Sequence, residues 1–93
     1  MDSILQTEKE CWLCESERNL HEHHIYMGAN RKISEENGFK VWLCGHHHNQ
    51  SDWGVHGKNG HDLDMALKQM CQKKFEKTHT REEFMALIGK SYL

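Results

Sequence analysis

The chain has 93 residues, a formal charge of −2, four cysteines, nine histidines and no proline, and 37% of its residues are hydrophobic. One domain is the expectation at this length, and so small a core commonly draws support from metals or disulfides. No apolar run approaches the ~18 residues of a transmembrane helix, so no membrane association is expected. The start, MDSILQTEKE, is too polar for a secretory signal, and the overall charge is not that of a strongly basic nucleic-acid binder. A cytoplasmic setting with reduced thiols follows as the expectation. There, clustered Cys and His point to metal rather than disulfides.

Residues 1–10 read as a short helix or a loose arm, and residues 11–18 as CWLC and a polar turn. NLHEHHIY (19–26) ends in β-branched and aromatic residues and reads as a short strand. MGANRKISEENG (27–38) reads as a loop with one helical turn at Ser34–Asn37. FKVWL (39–43) alternates, which predicts a strand with Phe39, Val41 and Leu43 on one face. Residues 44–60 carry four glycines and no long apolar period, so irregular backbone with room for a short helical turn is expected. Residues 62–77 predict a helix whose apolar stripe is Leu63, Leu67, Met70, Cys71 and Phe75. Thr80-Arg81-Glu82-Glu83 matches a capping box. It opens a second helix with Phe84, Leu87 and Ile88 on its stripe and Gly89 at its stop.

Charge is segregated along this order. Residues 1–22 hold six acids and two bases, and residues 58–81 hold six bases and three acids. Lys68, Lys73, Lys74 and Lys77 therefore carry two readings, a line along a nucleic-acid backbone or a solvated helix face.

Cys11-x-x-Cys14 pairs with Cys44-x-x-His47, with 29 residues between the two knuckles. Each two-residue gap lets a tight turn aim both side chains at one ion, and together they make a closed Cys3His set of the kind that holds structural Zn²⁺. Such a site would tie the N-terminal segment to the end of the second strand. Cys71 lies on the stripe of the long helix and reads as a small buried hydrophobe. Trp12 and Trp42 are expected to pack on the knuckles, and Trp53 in the core. His46, His21 and His79 read as surface residues, and His61 as a cap of the long helix.

The combined order of Cys11-Trp12-Leu13-Cys14, His23-His24-Ile25, Asn30-Arg31-Lys32, Leu43-Cys44-Gly45-His46-His47-His48 and Val55-His56 resembles the HNH endonuclease family, in the form of small phage and prophage proteins. The resemblance covers roughly residues 10–77. It implies an α+β fold: a zinc-supported ββα-metal finger within a single domain spanning residues 1–93, followed by a C-terminal helix pair whose last, capping helix covers about 80–90. It implies a cytoplasmic, bacterial or phage-encoded enzyme that hydrolyses DNA phosphodiester bonds. The substrate would be duplex DNA, a homodimer could cut both strands, and phage packaging proteins are partners by resemblance alone.

In the roles the resemblance implies, His24 is the general base and His23, His48 and His56 ligate a catalytic divalent ion, Mg²⁺ or Mn²⁺. Three imidazoles suit Zn²⁺ or Ni²⁺ as well. The family's asparagine, which orients the base, is assigned to Asn30 ahead of Asn37 and Asn49. Arg31 and Lys32 are candidates for phosphate contact. Successive strand residues face opposite ways, so His23 and His24 can share one reaction only if the strand ends or bulges there. The register of His46, His47 and His48 could also slip by one, exchanging their roles. The rival reading is a catalytically silent zinc module that binds nucleic acid or protein.

Overall fold

A computed structural model describes all 93 residues. The elements in chain order are β1 (Leu20–His24), α1 (Arg31–Asn37), β2 (Lys40–Cys44), α2 (Gly45–His48), α3 (His61–Phe75) and α4 (Arg81–Ile88), with a 3-10 turn at Gly28–Asn30 leading into α1. The architecture is α+β: one two-stranded sheet with helices around it. No helix is long and apolar enough to cross a membrane.

The strands pair antiparallel, with Leu20 opposite Cys44, His23 opposite Val41 and His24 opposite Lys40. Alternation then decides the faces. Phe39, Val41 and Leu43 are buried, as their spacing predicts, and His21 and His23 lie on the same side as Val41 and Leu43. Glu22 and His24 share the other side with Trp42 and Lys40. Residues 1–10 form an arm along β2: Ile4 N donates to Gly38 O at 3.0 Å, and Trp42 N donates to Gln6 Oε1 at 2.9 Å.

The segment 27–38 departs most from the sequence reading, because a helix replaces most of the expected loop. Ile33 is its only strongly apolar residue, so no periodic stripe announces α1. A polar lock holds the helix instead. Ser34 Oγ donates to Tyr26 O at 2.7 Å and accepts from Tyr26 N at 3.2 Å, all of it buried. Gly38 ends the helix in the left-handed region (φ 71°), returning its N–H to Ser34 O.

The core gathers Ile25, Tyr26, Phe39, Val41, Leu43, Val55, Leu67, Cys71, Phe75, Phe84 and Ile88 with Cys11 and Cys44. Its centre is aromatic: the Tyr26–Phe39 and Phe39–Phe75 ring centroids are each 5.5 Å apart, and Tyr26–Phe84 is 5.4 Å. Along α3, Leu67, Cys71 and Phe75 are buried as expected, but Met70 is exposed and Gln72 takes a core position. Gln72 can do so because its amide is satisfied. It donates to Ser91 Oγ and Glu76 Oε2 and accepts from Tyr92 N at 2.8 Å, strapping the C-terminal tail across the helix. Burial pushes the Cys71 thiol up to about 12, which suits its role as a packed hydrophobe. His61 is the first residue of α3 rather than its cap, which is Gly60.

Helix α4 begins with the anticipated capping box between Thr80 and Glu83 and stops at Gly89. Removing the buried ring by Phe84→Ala should cost about 3–5 kcal/mol, whereas Thr80→Ala should cost about 1 kcal/mol. Urea unfolding of both variants checks this ordering; equal losses would contradict a core role for α4.

Candidate functional site

Cys11 and Cys14 flank a turn in which Cys11 N donates to Ser16 O and Glu15 N to Cys11 O. Trp12 N donates to Trp42 O at 2.8 Å, which hangs that turn on β2. Cys44 ends β2, and α2 starts at once, bringing His47 round to the same point. Cys14 Sγ lies 3.7 Å from Cys44 Sγ, and His47 Nδ1 lies 3.2 Å from Cys44 Sγ and 3.6 Å from Cys11 Sγ. The four ligand atoms fall within 4.8 Å of one another.

A tetrahedron with Zn–S of ~2.3 Å and Zn–N of ~2.0 Å has edges of about 3.5–3.8 Å. A disulfide needs sulfurs ~2.05 Å apart, and all four cysteines are free. The donor set and its spacing therefore suit zinc, with His47 presenting Nδ1. Burial would raise the Cys11 thiol, but hydrogen bonds from the backbone of Cys44, Cys14 and Leu13 outweigh it and bring it down to about 6. That favours the thiolate a metal requires at Cys11, whereas at Cys14 the hydrogen bond from the Ser16 backbone is outweighed by burial and the Cys11 and Cys44 thiols, which raise it.

The next imidazole, His48, turns away from this cluster toward His23 and His56. Ring centroids are 5.3 Å apart for His23–His48, 5.2 Å for His23–His56 and 4.7 Å for His48–His56. His56 arrives because the 54–56 backbone runs against α2: Val55 N donates to His47 O and His56 N to His48 O, both at 3.0 Å. Gly54 permits the approach, since a Cβ there would lie 2.6 Å from His48 O.

His23 is 1% exposed, and its Nε2 has no hydrogen-bond partner. Burial, reinforced by the neighbouring imidazoles of His48 and His56, lowers His23 to about 3, and burial and His56 lower His48 to about 4. His23 and His48 are thus neutral near pH 7, and the ligand atoms of His23, His48 and His56 lie within 4.8 Å of one another. It fits a divalent ion, with His23 Nε2 as the atom most in need of a partner.

His24 belongs to a third group. Its Nε2 lies 2.7 Å from Glu35 Oε2 and 3.8 Å from Glu22 Oε1. Lys40 Nζ sits 3.0 Å from both Glu35 oxygens and 3.5 Å from Glu22. The hydrogen bond from His24 and those from Lys40 bring the Glu35 carboxyl down to about 2. The strand ends at His24 without a bulge, and this is enough: His23, His24, His48 and His56 line one groove with Glu22, Met27 and Arg31.

Other predicted residues lie elsewhere. Asn30 Nδ2 donates to Ile88 O at 2.9 Å, joining α1 to α4, and makes no hydrogen bond to His24. Asn37 Nδ2 donates to Ile33 O within its own helix, and Asn49 is exposed at the end of α2. Lys32 is outside the groove, paired with Glu36 at 4.0 Å. Lys68 is bound to Asp64 at 2.8 Å, while Lys73, Lys74 and Lys77 are exposed. Trp53, expected in the core, is 65% exposed, and His79 stacks on Phe75 with centroids 4.1 Å apart.

The sequence reading missed Glu22, Glu35 and Lys40. The signal was conditional: once 31–37 is a helix, Arg31 and Glu35 are i,i+4 neighbours on one face. No protein-family model matches the chain, and neither does any curated protein or solved structure.

Cys44→Ala should lose bound zinc and unfold at lower urea, measured by metal analysis and circular dichroism; a stable, zinc-replete variant would contradict the Cys3His assignment. At pH 6 an ordinary imidazole (pKa ~6.5) is largely protonated. Because His23 and His48 lie below that, a divalent ion added to zinc-loaded protein should displace little proton from them, read by calorimetry in buffers of differing ionisation enthalpy.

Proposed function

We propose that the chain is a divalent-metal-dependent endonuclease of the HNH kind, a zinc-supported ββα-metal finger that hydrolyses DNA phosphodiester bonds. The observation that carries this reading is the buried, unpartnered His23 Nε2 facing His48 and His56 in a groove that also holds His24. A purely structural zinc module has no use for a second imidazole cluster separate from the first. The order β1, β2, α2 with a Cys3His set at the β2–α2 junction fits the same reading.

In this reading Cys11, Cys14, Cys44 and His47 hold structural zinc, and His23, His48 and His56 hold Mg²⁺ or Mn²⁺, with Zn²⁺ or Ni²⁺ as competitors. Bound there, the ion supplies Lewis acidity to a phosphate oxygen and offsets charge on the leaving oxygen. The residues do the rest. A carboxylate only accepts hydrogen bonds, so Glu35 holds His24 as the Nε2–H tautomer, 2.7 Å away. Nδ1, which makes no hydrogen bond, then keeps its lone pair and can take the proton of an attacking water. The ionised Glu35, itself gripped by Lys40, stabilises the resulting imidazolium. Glu35 thereby fills the orienting role that the family resemblance gives to Asn30. Arg31, exposed at the groove, can meet a flanking phosphate.

The silent zinc module draws its support from Glu22 at the groove and the net charge of −2, both unfavourable to a polyanion. A supercoiled-plasmid assay separates the two. Mg²⁺ or Mn²⁺ should permit nicking or cutting, and His24→Ala should reduce the rate by about 10²–10⁴-fold with zinc content unchanged. Absence of cleavage with every divalent ion, or full activity in His24→Ala, would overturn the proposal.

A further inference from the structure

His21 lies outside all three groups of candidate ligands, yet its ring is engaged at both nitrogens. Its Nδ1 is 2.8 Å from Nδ1 of His48, and its Nε2 is 3.3 Å from Oδ1 of Asn19. Asn19 is held in turn, since its Nδ2 donates to Gln50 Oε1 at 2.7 Å. The pair rests against the start of α2, where Asn19 O accepts from Gly45 N at 3.0 Å. Both amides lie close over Gly45, where a Cβ would displace Gln50 Oε1 and Asn19 Nδ2. A chain of four polar side chains therefore runs Gln50–Asn19–His21–His48 and stops at the imidazole trio.

Its direction has chemical content. With Asn19 Nδ2 committed to Gln50, Asn19 presents Oδ1, which can only accept. His21 must then carry its proton on Nε2, leaving Nδ1 as an acceptor. His48 must carry its proton on Nδ1 to donate to it. In a neutral imidazole that leaves the lone pair on Nε2, the one nitrogen of His48 still free to ligate. The opposite sense of the chain would put a proton on His48 Nε2 and remove it as a ligand.

We infer that His21 is a positioning residue for the second ion, holding His48 as the Nδ1–H tautomer with Nε2 directed to the ion shared with His23 and His56. This rests on the reading of those three histidines as a divalent-ion site. Partners behind a ligating imidazole fix its tautomer and orientation, and their loss typically costs about 10–100-fold in metal affinity. His21 and Asn19 are such partners for His48, assembled from β1 and the residue before it.

Zinc-loaded protein titrated with Ni²⁺, an ion that imidazoles favour, provides the test. His21→Ala should weaken Ni²⁺ binding by about 10–100-fold in calorimetry while zinc content and circular dichroism stay unchanged. His21→Gln, whose amide oxygen can accept from His48 Nδ1, should recover part of the loss. Long-range proton–nitrogen NMR of the zinc-loaded protein before Ni²⁺ is added should show His48 protonated on Nδ1. Wild-type affinity in His21→Ala, or a proton on His48 Nε2, would overturn the inference while leaving the ion site standing. If the wild-type protein takes up no Ni²⁺ at His23, His48 and His56, the ion-site reading fails and takes the inference with it.

Discussion

A single helical turn governs the chemistry of this molecule. Helix α2 spans only Gly45–His48, yet it starts directly from Cys44 and carries three consecutive imidazoles. Successive residues of a helix are rotated by about 100°, so three adjacent side chains cannot share one target. His47 turns back to Cys44, Cys11 and Cys14, His48 turns to His23 and His56, and His46 is left exposed. One short turn thus sets two clusters side by side and keeps them separate. Everything that fixes α2 fixes both: the β2 pairing before it, the Cys11–Cys14 turn hung on Trp42, and the 54–56 backbone bonded to the carbonyls of His47 and His48.

The buried polar side chains of this small core are of two kinds. His23 is on the core side of β1 with an unsatisfied nitrogen, and such an atom costs about 1–3 kcal/mol. Replacing it by an apolar residue would relieve the cost, so its presence runs against stability alone. Ser34 and Gln72, by contrast, are buried polar residues with every demand met by Tyr26, Ser91, Glu76 and Tyr92. The contrast marks His23, the one imidazole with a buried nitrogen that lacks a partner, as a side chain kept for one. Within the proposed function that partner is the catalytic ion, and the cost in the ion-free state is recovered on binding.

Much of this was legible in the sequence because it rests on local periods and spacings. The alternation of Phe39, Val41 and Leu43, the Thr80–Glu83 capping box and the convergence of Cys11, Cys14, Cys44 and His47 are each foreshadowed by the spacing of a few residues, and each appears as expected. The grouping of His23 with His48 and His56 was also anticipated, and the one-residue ambiguity among His46, His47 and His48 is resolved by the direction of α2. What was hidden depends on contacts distant in sequence. Helix α1 has no apolar stripe and is held by Ser34 against Tyr26, so all of it but one turn at Ser34–Asn37 read as a loop. With α1 unseen, Glu35 could not be placed beside His24. Asn30 drew attention through its neighbours Arg31 and Lys32, but its amide is committed to Ile88, 58 residues away. Trp53 looked like core by type alone, yet it is 65% exposed.

The charges around the groove add a last constraint. Glu22 and Glu35 oppose Lys40 and Arg31, the first three tied into one network with His24, so the fixed charges there nearly cancel. His23 and His48 contribute none, since burial and mutual repulsion keep them neutral at ordinary pH. A phosphate approaching the ion-free groove therefore meets no net attraction, and Glu22 stands in its way. The charge that would draw it in must come with the bound ion, a divalent centre being the largest local charge such a site can hold. In the proposed enzyme, ion binding and phosphate capture are consequently coupled, and the near-cancellation of fixed charge that weakens a simple nucleic-acid-binding role is what couples them.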